Sequence, residues 1–452
     1  MGHSVENCER ILSVPGFFHA TPRYDGSVAL PDISRLNGFP GAALTARFHE
    51  IGLTRPFIQA MTERGDDLRA PLEPTREASL AGDAASVLLN LFFCRRAVRR
   101  GAVREALGSV LSAAAIEHGL LVDESGEEIV SPLHLRTVRD LFLFSDYLGG
   151  EAEAVMGAGE TTAILFQAGW PNRRVRRALD LGCGAGTLAL LAAAGAGEVV
   201  GTDVNPRAVA MARFNASVNG IENAEFREGD VYAPVRGEKF DVILSQPPYY
   251  PDPAGAGRTE VFLHGGARGD ELPRRVVHGV ADHLEEGGRG TVFTSWPEPP
   301  DLASDGLRIL ELRTTRTELH GTRQSLTVIE HAEAGRGWSA SFDVAPECWG
   351  YVTSRTVDEI IAGQELLRGP EEKLLAASLR LPEGTTALRE GSQMLLNIPA
   401  EGLLGLIAVD DITWDAASAV HRAADVRSGI RELPGALPVV RRALERGLLK
   451  VA

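Results

Sequence analysis

Between Ala178 and Asp203 the chain reads Ala-Leu-Asp-Leu-Gly-Cys-Gly-Ala-Gly-Thr, then a helix-length apolar stretch, then Val199-Val-Gly-Thr-Asp203. An apolar strand, a turn carrying three glycines, a helix and a second strand ending in a carboxylate make a β-α-β unit suited to a nucleoside. Gly182, Gly184 and Gly186 allow a tight turn and keep Cβ atoms away from a ligand. Asp203 ends the second strand, where both its oxygens can grip a ribose diol. The spacing also discriminates among ligands. A dinucleotide fingerprint needs glycine where this chain has Thr187, and no Gly-Lys-Ser/Thr of a phosphate loop occurs. Asp180, just before the turn, would repel a pyrophosphate and attract a cation.

Strand patterns recur at Arg177–Leu181, Glu198–Thr202, Ala224–Glu228, Phe240–Ser245, Arg289–Ser295 and Leu326–His331, with helical stretches between most of them. This alternation predicts an α/β fold with a doubly wound, mostly parallel sheet. Between the last two strands lie Pro297-Glu-Pro-Pro300, a short apolar stretch and a polar Arg313–Arg323 segment, without a clear helix. Upstream, Leu36–Arg139 reads as helical, with apolar spacing in Ala42–Ile51 and Ala84–Val98. Val103–His118 reads as one helix, followed by two short strands around Asp123-Glu-Ser-Gly126, the outline of a winged helix. Its wing is acidic and its preceding helix carries few basic residues, which favours dimerisation or substrate docking over DNA binding. Beyond Gly337 come Trp338, Phe342, Trp349 and Tyr351, an amphipathic Thr356–Leu367 and a helix near Pro438–Leu448, read as a small α+β unit. The predicted domains are residues 1–140, 141–336 and 337–452.

A net charge of −15 disfavours a nucleic acid held through its phosphates. The clusters Arg95, Arg96, Arg99, Arg100 and Arg173, Arg174, Arg176, Arg177 read as solvated faces. Cys8, Cys94, Cys183 and Cys348 have no metal-ligand spacing, which predicts reduced thiols in a cytoplasmic protein and no metal. The chain shows neither a leader pattern nor an apolar run of membrane-spanning length.

The fourth predicted strand ends in Phe240-Asp-Val-Ile-Leu-Ser-Gln-Pro-Pro-Tyr-Tyr250. Two prolines cannot continue a central ladder, so they make a rigid turn at the carboxyl edge of the sheet, where α/β sheets bind substrates. Asp180-x-Gly-x-Gly-x-Gly resembles the first motif of class I S-adenosylmethionine-dependent methyltransferases, and Gln-Pro-Pro-Tyr resembles their Asn-Pro-Pro-Tyr motif, used on planar nitrogens. The resemblance runs over roughly residues 140 to 335 and implies a seven-stranded Rossmann-like sheet with an antiparallel last strand, to which Leu326–His331 would correspond.

It also implies roles. S-adenosylmethionine would be held by Asp180, Gly182, Gly184, Gly186 and Asp203, with Asp230 accepting from the adenine amino group and Val231 packing on the ring. Thr161 and Thr162, in Ala158-Gly-Glu-Thr-Thr162, would close over the methionine end, although the family's release-factor branch has Arg-Pro-Glu-Thr there. Gln246 would take the Asn role, Pro247 offer its carbonyl, Pro248 fix the turn and Tyr249 stack on the acceptor, with Tyr250 and His264 as further substrate contacts. Gln246 departs from the pattern by one methylene, which carries its amide about 1.5 Å further. Either the substrate sits differently or the amide no longer holds a nitrogen. His264-Gly-Gly-Ala-Arg-Gly-Asp270 resembles the Gly-Gly-x-x-Gly stretch of the release-factor glutamine methyltransferases.

The expected function is methyl transfer to a planar nitrogen or electron-rich ring carbon of a small molecule in biosynthesis, with a homodimer through the N-terminal domain as an expected assembly. The alternatives are protein glutamine N5-methylation and a non-catalytic protein that senses the cofactor.

Overall fold

Val175-Arg-Arg-Ala-Leu-Asp-Leu181 is apolar toward its carboxyl end because it lies at the centre of a sheet, buried on both faces. The computed structural model describes residues 30–63, 73–75, 77–78, 81–148, 151–252, 261–296, 306–317, 321–391 and 393–452; Cys8 and Pro297-Glu-Pro-Pro300 lie outside them. The central sheet comprises β1 (Val175–Leu181), β2 (Ala196–Asp203), β3 (Ala224–Glu228), β4 (Phe240–Ser245), β5 (Leu284–Trp296), β6 (Leu307–Thr314), β7 (Arg323–His331) and β8 (Trp338–Val344). Their order is β3-β2-β1-β4-β5-β7-β6-β8. β1 to β5 are parallel, β7 runs antiparallel to both β5 and β6, and β8 is parallel to β6. All six strands read from the sequence are present, and Leu326–His331 lies within the antiparallel β7.

Two strands differ from the sequence reading and make the sheet eight-stranded instead of seven-stranded. β6 occupies the apolar stretch and the start of the segment read as polar. β8, beyond the expected boundary at residue 336, pairs along its whole length with β6. Helices α1 (Glu160–Gly169), α2 (Thr187–Ala193), α3 (Pro206–Val218), α4 (Glu271–Gly279) and α5 (Ser354–Arg368) flank the sheet or its edges. Among the described residues, no helix is long and apolar enough to cross a membrane.

The stretch read as a single helix from Val103 breaks at Gly108, whose φ of 81° ends Arg100–Leu107 before Ser109–Glu117 begins. Val98–Arg99, Glu128–Val130 and Val122–Asp123 then form a three-stranded antiparallel sheet. This N-terminal unit shares one apolar core with α3, in which Phe39 and Phe144 meet Phe214 at centroid separations of 6.0 and 5.3 Å.

Two asparagines extend that junction. On α3, Asn215 and Asn219 act as side-chain substitutes for a missing strand: each accepts from and donates to the backbone of the strand Leu141–Ser145, at Phe144 and Phe142, over 2.8–2.9 Å. Asn219 is thus more than the helix cap its Asn-Gly context suggests. Asn219→Ala leaves the Phe142 backbone groups without partners and is expected to lower stability by about 1–3 kcal/mol in chemical denaturation; an unchanged midpoint contradicts the role.

Candidate functional site

Asp180 sits near the carboxyl end of β1, where the strand gives way to the glycine turn. Its Oδ2 accepts from the Ala189 backbone N–H of α2 at 2.8 Å, while Oδ1 is buried and has no hydrogen-bond partner. Burial pushes its pKa up to about 7; the Ala189 N–H opposes the rise and the nearby Asp203 adds to it. The turn is folded by the N–H groups of Gly182 and Cys183, both donating to Thr202 O at 2.8 Å. Gly182 and Gly184 have positive φ, and a Cβ on either would meet nothing within 4 Å, so their bare faces open onto a cavity. Gly186 serves packing instead of the ligand, since a Cβ there would stand 2.9 Å from Ala212 Cβ of α3 and the residue does not line the cavity.

Asp203, ending β2, ties the turn to the sheet. Its Oδ2 accepts from Gly184 N at 2.8 Å and its Oδ1 from Asn205 N at 2.9 Å. Burial raises its pKa, against the pull of these N–H groups. Two partly desolvated carboxylates, one with an orphaned oxygen, face the same cavity as the two open glycines. Such a donor set fits hydroxyls and a cation, as the resemblance to S-adenosylmethionine enzymes requires.

Asp230 and Val231, after β3, line the same cavity. The Asp230 carboxylate pairs with Arg275 of α4 at 2.5 Å on an exposed face. Val231 has φ 48°, a left-handed conformation that is strained for a β-branched residue by about 1–3 kcal/mol.

At the end of β4, Ser245 Oγ donates to Leu181 O at 2.7 Å and so joins this strand to the glycine turn. Gln246 then points to α1, where its Nε2 donates to Thr161 Oγ1 at 2.7 Å and its Oε1 accepts from Thr162 Oγ1 at 3.4 Å. The additional methylene thus spans to the first turn of α1, and the amide is engaged by the two threonines assigned to the methionine end. Pro247, Pro248, Tyr249 and Tyr250 follow along the cavity wall. Tyr249 lies 5.2 Å from Tyr250 and 6.3 Å from Phe293, ring centre to ring centre, and Phe293 lies 6.2 Å from Trp349.

The glycine-rich segment after this turn supports it from behind. Tyr250 N donates to Leu263 O and Gly265 N to Tyr250 O, both at 3.0 Å. A Cβ on Gly265 would lie 2.5 Å from Pro248 O, and one on Gly269 2.5 Å from Tyr249 O, so only bare backbone fits here. His264, expected at the substrate, does not line the cavity; its Nδ1 lies 3.2 Å from Pro251 O, within this support.

The cavity encloses about 760 Å³ and is continuous from the two carboxylates past Tyr249 to Trp349 and Tyr351. Several of its walls carry no signal in the sequence. Asp146, held in a buried ion pair with Arg207 at 2.6 Å, and Asn205 line the cavity, and no local pattern marks them. Trp349 and Tyr351 were visible as aromatics, but nothing in their spacing brings them to the carboxyl edge of the sheet. Among the described residues no group of three His, Cys, Asp or Glu side chains is placed to hold a metal ion.

Residues 159–292 match the family model of the methyltransferase small domain. The chain is 34% identical over 169 residues to the release factor glutamine methyltransferase of Deinococcus radiodurans, covering 35% of this chain and 60% of the relative. It is 37% identical over 133 residues to the release factor glutamine methyltransferase of Xylella fastidiosa strain Temecula1 (27% and 48% covered). To the ribosomal protein uL3 glutamine methyltransferase of Bradyrhizobium diazoefficiens it is 29% identical over 182 residues (36% and 54% covered). The chain therefore spans about half the length of these relatives. All three are named for protein glutamines, which overturns the expectation of a small-molecule acceptor. In its glycine turn, its Pro-Pro-Tyr edge and residues 159–292, the chain resembles the class I S-adenosylmethionine-dependent methyltransferases of the methyltransferase small domain and release-factor glutamine type.

Proposed function

We propose that this protein transfers a methyl group from S-adenosylmethionine to the side-chain amide nitrogen of a glutamine in an acceptor protein. The observation that carries the reading is the single cavity that joins a two-carboxylate glycine turn to a Pro-Pro-Tyr turn at the same sheet edge. The names of the relatives favour glutamine over other planar nitrogens.

Asp203 receives the ribose hydroxyls on the lone pairs left free by Gly184 and Asn205, and the bare faces of Gly182 and Gly184 admit the nucleoside. Asp230 and Val231 border the adenine, and Asp180 stabilises positive charge at the methionine end through its orphaned oxygen. The bound donor supplies a methyl group on a sulfonium, open to in-line displacement. Pro247 offers its carbonyl to the acceptor N–H, and Tyr249 packs on the plane of the amide. Gln246 acts as a positioning residue: by holding Thr161 and Thr162 it fixes the turn against α1. As the C–N bond forms and the C–S bond breaks, the nitrogen sheds one proton to solvent. Alignment supplies most of the rate in such a displacement. The helical N-terminal unit, with its winged-helix outline, is read as the part that docks the acceptor protein.

Asp180 gives the site a pH signature. In the unliganded protein its pKa is near 7 instead of 3.8, so the folded state binds the proton more tightly than the unfolded chain. Stability of the unliganded protein is therefore expected to fall as pH rises from about 4 to about 7. Affinity for the cationic donor runs the other way: it rises up to about pH 7 and then levels. Asp180→Asn should flatten both profiles, and a wild-type affinity profile without this rise removes Asp180 from the cation site.

The reading is tested by incubating the purified protein with methyl-labelled S-adenosylmethionine and a cell extract, then separating protein from small molecules. Label is expected in the protein fraction. Label confined to small molecules, or cofactor binding without transfer, contradicts it.

A further inference from the structure

The sheet order divides the cavity. Asp180 and Asp203 belong to β1 and β2, on one side of the Gln-Pro-Pro-Tyr turn that ends β4; β5, β7, β6 and β8 lie on the other side. β6 is five strand spacings from β2, roughly 24 Å at the usual separation of neighbouring strands. Because β7 is antiparallel and β6 and β8 are parallel to β5, the end of β6, the start of β7 and the end of β8 all reach the same carboxyl edge as the Pro-Pro-Tyr turn. Side chains there are too distant to serve the ribose end, yet they line the same cavity.

The wall they form is built, not incidental. From β8 the chain turns through the short helix Pro346–Tyr351, anchored by Ala345 N donating to Leu403 O at 3.0 Å and packed against α1, whose threonines hold Gln246. Trp349 is buried, with its Nε1 donating to Gln324 Oε1 of β7 at 2.8 Å and its ring meeting Phe293, the neighbour of Tyr249. Tyr351, which is 48% exposed, the exposed Arg316 just after β6 and the exposed Glu347 all line this part of the cavity and so form its solvent-facing rim. A fixed aromatic back wall behind a rim of one tyrosine and two opposite charges suits a slender planar side chain whose flanking residues stay outside.

We propose that β8 and the Pro346–Tyr351 segment form the acceptor-recognition wall, with Trp349 closing the slot that takes the glutamine side chain and Arg316 and Tyr351 contacting the residues beside it. This rests on the glutamine reading above. The strand added beyond β6 then carries the determinants of which glutamine is chosen.

The test uses the full-length protein, S-adenosylmethionine and capped pentapeptides with a central glutamine flanked by either two acidic or two basic residues. Tyr351→Ala is expected to raise KM for both peptides about tenfold, or about 1.4 kcal/mol. Arg316→Glu is expected to shift the acidic-to-basic ratio of kcat/KM toward basic flanks by about tenfold. Both positions are on the surface, and S-adenosylhomocysteine affinity should stay at the wild-type value, which also certifies folding. Unchanged KM and an unchanged ratio in both variants overturn the wall, as does a matching loss of S-adenosylhomocysteine affinity. A wild-type protein that methylates neither peptide nor any glutamine in a protein extract sinks the glutamine reading itself, and the wall with it.

Discussion

Asp203→Asn is expected to weaken S-adenosylhomocysteine binding by about 100-fold, with little change in the thermal midpoint of the unliganded protein. Each oxygen of Asp203 takes one backbone N–H, from Gly184 and from Asn205. Asparagine has the same size but only one acceptor oxygen, so its NH₂ must face one of these N–H groups. One turn bond is lost, a cost to folding of about 1–3 kcal/mol that the free and bound protein share and that leaves the affinity untouched. Bonds from the ribose hydroxyls also lose their charge assistance, roughly half their strength. Two hydroxyl bonds to a charged acceptor are worth about 1.5–3 kcal/mol each, so halving both loses up to about 3 kcal/mol, about two orders of magnitude in affinity. Folding is protected because burial already holds the carboxylate pKa above its usual range, so removing the charge relieves a desolvation penalty. Calorimetric titration reads the affinity; an unchanged value places the ribose elsewhere.

Gln246→Ala is expected to lower kcat by about 100-fold, the loss that follows when a reacting group is misplaced by about 1 Å. The amide secures the turn carrying Pro247 and Tyr249 to the start of α1 through Thr161 and Thr162, and alanine releases it. Gln246→Asn should behave similarly despite restoring the Asn-Pro-Pro-Tyr motif, because the shorter side chain falls short of Thr161. Thr161→Val should cost about tenfold, and the double variant Gln246→Ala, Thr161→Val should lose no more than Gln246→Ala alone, since both remove one link. Additive losses in steady-state kinetics would show that the two side chains act separately. A rise in kcat for Gln246→Asn would return the amide to a direct role on the acceptor.

Much of the site was legible because its signals are local. The glycine turn, the carboxylate at the end of β2 and the prolines after β4 each write a backbone constraint into a few consecutive residues. β6 was not legible because Glu311 interrupts its apolar pattern; in the fold that carboxylate is buried and accepts from Trp296 Nε1 at 3.2 Å and from Ser325 and Ser341 hydroxyls at 3.1 Å. Three hydrogen-bond partners from three other strands, together with Arg313 Nε 3.8 Å away on β6 itself, make the charge tolerable, and the three hydrogen-bond partners are not adjacent to it in sequence. β8 does alternate, with Trp338, Phe342 and Val344 inward, but its partner is a strand that the sequence hides, so it read as part of a separate unit. Gln246 was singled out for its length, while the reason for that length lies 85 residues upstream at Thr161. His264 misled because a histidine in a glycine-rich loop looks like a contact, whereas the neighbouring glycines are there for close backbone packing.

Glutamine methylation is tested most directly by digesting the acceptor protein after reaction with labelled S-adenosylmethionine and locating the methyl group by tandem mass spectrometry. One methyl is expected on the side-chain amide nitrogen of a glutamine, strongly reduced with both Asp203→Asn and Gln246→Ala. A methyl group on a lysine, a carboxylate or a backbone nitrogen, or none on protein at all, contradicts the proposed reaction.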